Sequence, residues 1–156
     1  MATHIGQTVY HAAAVPATNT KAGFEALTWV LVSGTASAPV FATTRGMVEV
    51  KDLQTGFVTN EKGNLTGVAT SFAARELLAD VGQIAVKLAA SVSTQTSVKV
   101  VTGTGTDNAP VAGDAVEYAQ GNVYDVVPNE KNDTTNVGFS VSFMQNAVTV
   151  VDVQPS

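Results

Sequence analysis

Residues able to do chemistry are few in this 156-residue chain. His4 and His11 stand seven apart, about two helical turns, so one helix face could carry both. Two ligands are too few for a closed zinc site, no cysteine exists to complete one, and an Ala/Thr-rich context predicts a solvated segment instead. The run "GTGTDNAP" (103–110) has the glycines of a phosphate-cradling loop. It lacks the lysine of a P-loop, and Pro110 and Gly113 keep a helix from opening behind it, so an inter-strand loop is expected. Ser33, Ser37, Ser71, Ser91, Ser93, Ser97, Ser140 and Ser142 have no G-x-S-x-G frame, and neither histidine is placed to serve them as base. Glu117 and Asp125 fall on one face of a single expected strand. At ~3.3 Å per residue they are roughly 26 Å apart, too far for a paired-acid mechanism. No catalytic residue, metal site or cofactor is expected.

Charge narrows the classes further. Residues 1–78 balance five acids (Glu25, Glu49, Asp52, Glu61, Glu76) with five bases (Lys21, Arg45, Lys51, Lys62, Arg75). The second half sets Asp80, Asp107, Asp114, Glu117, Asp125, Glu130, Asp133 and Asp152 against Lys87, Lys99 and Lys131, so the whole net charge of −5 lies there. A phosphate-neutralising surface needs clustered Lys and Arg, and there is none. Only 13% of residues are charged, where ~25% is usual. Burial of much of the surface against copies of the same chain would account for the deficit. The N-terminus lacks the basic and apolar regions of a signal peptide, and no apolar run approaches the ~20 residues of a membrane helix. A soluble protein assembled without secretion is expected.

The elements that must hold these residues are mainly strands. Residues 1–20 lack an apolar period and read as an arm, leaving 21–156 as a single domain. Strands are expected over 28–34, 46–52, 66–75, 97–102, 114–127 and 135–152, between turns such as "EKGN". The "VGFSVSF" segment sets Val137, Phe139, Val141 and Phe143 on one face and Gly138, Ser140 and Ser142 on the other. "DVGQIAVKLAASVS" reads as a helix over about 80–93. Val81, Ile84, Ala85, Leu88 and Val92 form an inward stripe, Gln83, Lys87 and Ser91 lie opposite, and Asp80 with Gln83 makes a capping box. Burying Ile84 and Leu88 on a sheet would contribute roughly 1.5–3 kcal/mol each. "GFEALTWVLV" (23–32) is apolar on both faces of a strand, so something must cover each.

The order "AGFEALTWV" (22–30), "KGNLTG" (62–67), "DVGQIAVKLA" (80–89), "SVKVV", "VEYAQGNVYDVV" (116–127) and "TNVGFSVSFMQNAVTV" (135–150) resembles the tail tube proteins, the major tail proteins of long-tailed bacteriophages, over about residues 18–152. The resemblance implies a mainly β fold, a β-sandwich or barrel with one flanking helix. It further implies hexameric rings stacked into a tube, a homo-oligomer around a tape-measure protein, with tail terminator and distal tail proteins at its ends. Phage DNA would pass through without sequence-specific binding, and the place of action would be the virion, assembled in the host cytoplasm.

In such a tube Phe24, Trp29 and Leu31 become inter-subunit candidates, although a central strand of a sandwich would also be covered twice. Loop 52–65, with Asp52, Thr55, Phe57, Val58, Glu61 and Lys62, is expected to project axially and dock on the next ring. Glu117 and Asp125 are either a solvated face or, repeated by symmetry, negative rings that keep DNA from sticking; Ser140 and Ser142 would add a smooth neutral wall. The competing class is a carbohydrate- or surface-binding β-sandwich module such as a tail decoration domain. It would need exposed aromatics, and the chain has one tryptophan and 6% aromatic residues.

Overall fold

The computed structural model describes residues 5–155. In chain order the elements are β1 (Gln7–Ala12), α1 (Lys21–Glu25), β2 (Val30–Val32), β3 (Thr35–Ser37), β4 (Thr43–Lys51), β5 (Val58–Gly67), β6 (Ala69–Arg75), α2 (Val81–Ser91), β7 (Thr96–Thr102), β8 (Ala115–Pro128), β9 (Gly138–Gln145) and β10 (Val150–Val153). The protein is mainly β, as its patterning predicts. Eight strands form one antiparallel sheet in the order β2-β1-β7-β8-β9-β6-β3, with β10 also paired to β8. Among the described residues β4 and β5 pair only with each other.

Connectivity forces this sheet to curl. β2 and β3 sit at its opposite ends, yet only Ser33 and Gly34 separate them. Three Cα steps span at most about 10 Å, so the two ends must meet there and the sheet becomes a partly closed barrel. Gly34 makes the corner with φ +73°. One side chain stitches the seam. Gln83 Nε2 donates to the carbonyls of Ser33 (2.6 Å) and Arg75 (2.8 Å), and its Oε1 accepts from Leu77 N–H (2.9 Å).

The expected arm is corrected by β1. Residues 7–12 form an interior strand between β2 and β7, with Val9 wholly buried opposite Val100 and Val32. The segment reads as polar because Tyr10 and His11 carry its bulk. Lys99 Nζ lies over the rings of Tyr10 (4.5 Å) and Trp29 (5.1 Å), which gives that outer face a hydrocarbon stem and a cation–π contact. His4 lies outside the described residues.

Both sheet faces are covered around β7, whose first six residues are all buried. The inner cluster gathers Val9, Val32, Phe72, Val98, Val141 and Phe143 beneath Val86 and Ala89 of α2. The outer cluster is Phe24, Val101, Val116 and Tyr118, with Trp29 and Val150 packed on it. Phe24 and Tyr118 stack with centroids 5.0 Å apart, and Trp29 Nε1 donates to the Phe24 carbonyl at 2.9 Å. The second apolar face of 23–32 is thus covered within the chain, by α1 folding back on the sheet.

The helix falls at the expected place but is rotated. Asp80 caps it through Oδ2 to Gln83 N–H at 2.9 Å, while the Gln83 side chain turns to the seam instead of completing a capping box. Gly82, Gln83, Val86 and Ala89 face inward. A Cβ on Gly82 would overlap the Leu31 carbonyl, so the helix sits close on β2 through its smallest residues. The large stripe is displaced outward: Ile84 is 53% exposed and Leu88 63%, with Leu78, Val81 and Val92 beside them in sequence and also exposed.

Candidate assembly surfaces

Loop 52–65 is mostly strand. Its residues 58–65 belong to β5, and the turn is Asp52–Phe57 alone. Asp52 builds that turn: its Oδ1 accepts from the N–H of Gln54 (2.8 Å) and Thr55 (3.4 Å), which holds its pKa below the ordinary carboxylate value. The resulting hairpin is roughly 30 Å long, from nine residues at ~3.3 Å each. None of its residues is buried. At its end stand Leu53, 99% exposed, and Phe57, 71% exposed, with Met47, Val48, Val50 and Val58 along its strands. A two-stranded hairpin is marginal in water by itself, and among the described residues no further strand pairs with this one. The expected docking residues Asp52, Thr55, Phe57, Val58, Glu61 and Lys62 all lie on it and are all exposed.

The two acids part company. Up to Val123, β8 pairs with β9 so that Val123 stands opposite Phe143 on the inner face; a bulge then sets Asp125 opposite Ser142. Parity reverses there. Asp125 joins Ser140 and Ser142, with Ser71 and Ala73 of β6 alongside, on an outer face that belongs to neither apolar cluster. Glu117, opposite Val100 and Val151, remains on the inner face. The expectation that Glu117 and Asp125 share a face is therefore wrong, because it presumed an unbroken strand.

Glu117 lines a cleft of about 840 Å³ between the 35–40 segment and strands β1, β7, β8 and β10. Among the inter-subunit candidates, Phe24 is wholly buried in its own chain and has no surface for a neighbour. Trp29 is half-buried and engaged as described, and Leu31 is 44% exposed. His11 is buried against the inner core, its Nε2 without a hydrogen-bond partner, and desolvation lowers its pKa to about 4. No group of three or more His, Asp or Glu is placed to hold a metal among the described residues.

Leu53, Met47, Val48, Ile84 and Leu88 are surface residues that sequence reasoning did not single out as such. For the hairpin a signal was present: "VTNEKGNLTG" has no apolar alternation and cannot be a core strand.

No family model matches the chain, and no curated protein matches it. Among solved structures, a crystal structure of an Hcp protein aligns over 94% of this chain and 99% of that one, at 8% identity and a TM-score of 0.43. A doubly substituted Hcp1 protein from E. coli EAEC 042 pathovar aligns over 94% and 97%, at 11% identity and a TM-score of 0.44.

Proposed function

We propose that the chain is a structural, non-enzymatic subunit that polymerises into a tube: the repeating unit of a phage tail, stacked as hexameric rings around a tape-measure protein and later conducting the genome. The observation that carries this is the β4–β5 hairpin, which projects from the barrel, buries nothing of its own and ends in Leu53 and Phe57. A second copy is the simplest cover for an element that every copy exposes. The outward stripe of α2 supports the same view, and so does the low charge content. The neutral outer face of Ser71, Ser140 and Ser142, edged by Asp125, suits a wall past which DNA slides without binding. A surface-binding module is less well supported, since Trp29 is engaged within the outer cluster. Tail terminator and distal tail proteins would cap the tube, and its setting would be the virion after assembly in the host cytoplasm.

Negative-stain microscopy of the purified protein tests this. Hollow tubes are expected from the full chain, and none from a variant in which 47–62 is replaced by a tight turn. Monodisperse particles at all concentrations of the full chain would refute it.

A further inference from the structure

We infer that the receptor for the hairpin of one copy is the Glu117 cleft of the next, a prong-and-socket contact that rests on the tube-subunit function proposed above. The two features complement each other in shape, polarity and charge. The cleft, at about 840 Å³, is large enough for several apolar side chains, and its walls carry Val40, Val100 and Val151. The prong tip offers Leu53, which is almost wholly exposed, and Phe57, which is largely exposed. Among the described residues lining the cleft, Glu117 is the one that carries a charge. Lys51, the last residue of β4, is the cation next to the prong tip, and its contact to Glu49 is long (3.9 Å) and exposed. Asp52, the acid beside it, is already occupied by the turn's own N–H groups.

Backbone supply matches as well. Among the described residues β3 pairs only with β6, and β10 only with β8, and residues of both line the cleft. Two free strand edges therefore border the socket, where a hairpin edge can add hydrogen bonds.

A copy's own prong tip cannot reach its own socket. Val40 lies three residues before the hairpin's base, and the tip is roughly 30 Å away along β4. Because prong and socket are different patches, the contact is heterologous: each copy joined leaves one of each free, so the contact propagates into rings or fibres and does not stop at a dimer.

Charge exchange tests the pairing. Glu117→Lys and Lys51→Glu are each expected to raise the critical concentration for assembly about tenfold, and the double exchange to restore it. Circular dichroism of each variant establishes that it is folded. As an independent readout, Leu53→Cys with Val40→Cys in one chain, which has no other cysteine, is expected to give a ladder of disulfide-linked oligomers on mild oxidation. Either single-cysteine variant is expected to give dimers at most. Assembly of both charge variants at the wild-type concentration, a double exchange no better than the singles, or tubes without the ladder would overturn the socket and leave the tube function standing. A wild-type chain that never assembles would overturn both.

Discussion

Gln83 Nε2 lies 2.6 Å from the Ser33 carbonyl, so the first turn of α2 is tied to the corner where the two ends of the sheet meet. The same amide binds Arg75 on β6 and accepts from Leu77, so one buried side chain satisfies three backbone groups across the seam. Gln83→Leu would fill the space and leave those groups without partners. Each buried orphan costs about 1–3 kcal/mol, and a total loss of about 2–4 kcal/mol is expected after relaxation. For a chain of this size that lowers Tm by roughly 5–15 °C, readable by calorimetry of the unassembled protein. A shift under 2 °C would show that the seam does not depend on this residue.

The rotated helix makes the opposite prediction for the residues beside Gln83. Ile84→Gln and Leu88→Gln change exposed positions and are expected to alter monomer stability by only about ±0.5 kcal/mol in urea titrations. In sedimentation experiments the same pair is expected to weaken assembly, since the stripe has no cover in the monomer. A loss of more than 2 kcal/mol from either would place the stripe in the core.

The strand pattern was legible where one face is buried and the other is not. β9 could be read from Phe139, Val141 and Phe143 alternating with Ser140 and Ser142, and β7 and β8 nearly to their ends. β1 was not, because Tyr10 owes its packing to Lys99 and His11 is buried with its Nε2 unpaired, which no local pattern announces. The helix period is legible in the sequence, but the face it turns inward is not. Periodicity assigns the large residues to the core, whereas the Gly82 contact and the Gln83 hydrogen bonds place the small and amide residues there. The parity of Asp125 was hidden for a similar reason: a bulge is set by pairing across strands and leaves no mark on its own strand.

His11 gives stability a pH dependence with a definite sign. Burial holds the folded imidazole near pKa 4, while in the unfolded chain it titrates near 6.5. Above 6.5 both states are neutral and the group contributes nothing. Between 6.5 and about 4 only the unfolded state takes up a proton, so stability falls as pH drops, by about 3 kcal/mol over the window. The lowered carboxylates of Asp80 and Asp114 act at lower pH, their stabilisation present above their ordinary values and lost beneath them. His11→Phe is expected to flatten the urea midpoint between pH 6.5 and 4.5. An unchanged slope would mean that His11 reaches solvent in the folded protein.

Separation of the two acids by the bulge yields the last prediction. If the Ser140 and Ser142 face lines a channel, Asp125→Lys reverses the only charge that β8 and β9 place on it, and symmetry repeats that reversal in every ring. The position is exposed, so folding is expected to tolerate the change within about ±0.5 kcal/mol. Tubes are expected to form, since Asp125 lies on the opposite face from the socket. Genome release is expected to slow, because a lysine ring holds phosphate by displacing its counterions. The delay is expected to shrink as salt rises, which separates it from a steric block. Glu117→Lys is expected to leave release kinetics unchanged in whatever particles it forms, and to act only on assembly. DNA release from assembled virions at two salt concentrations reads both variants. Wild-type kinetics with Asp125→Lys would put this face on the outside of the tube, and salt-dependent retention with Glu117→Lys would make the cleft side the wall.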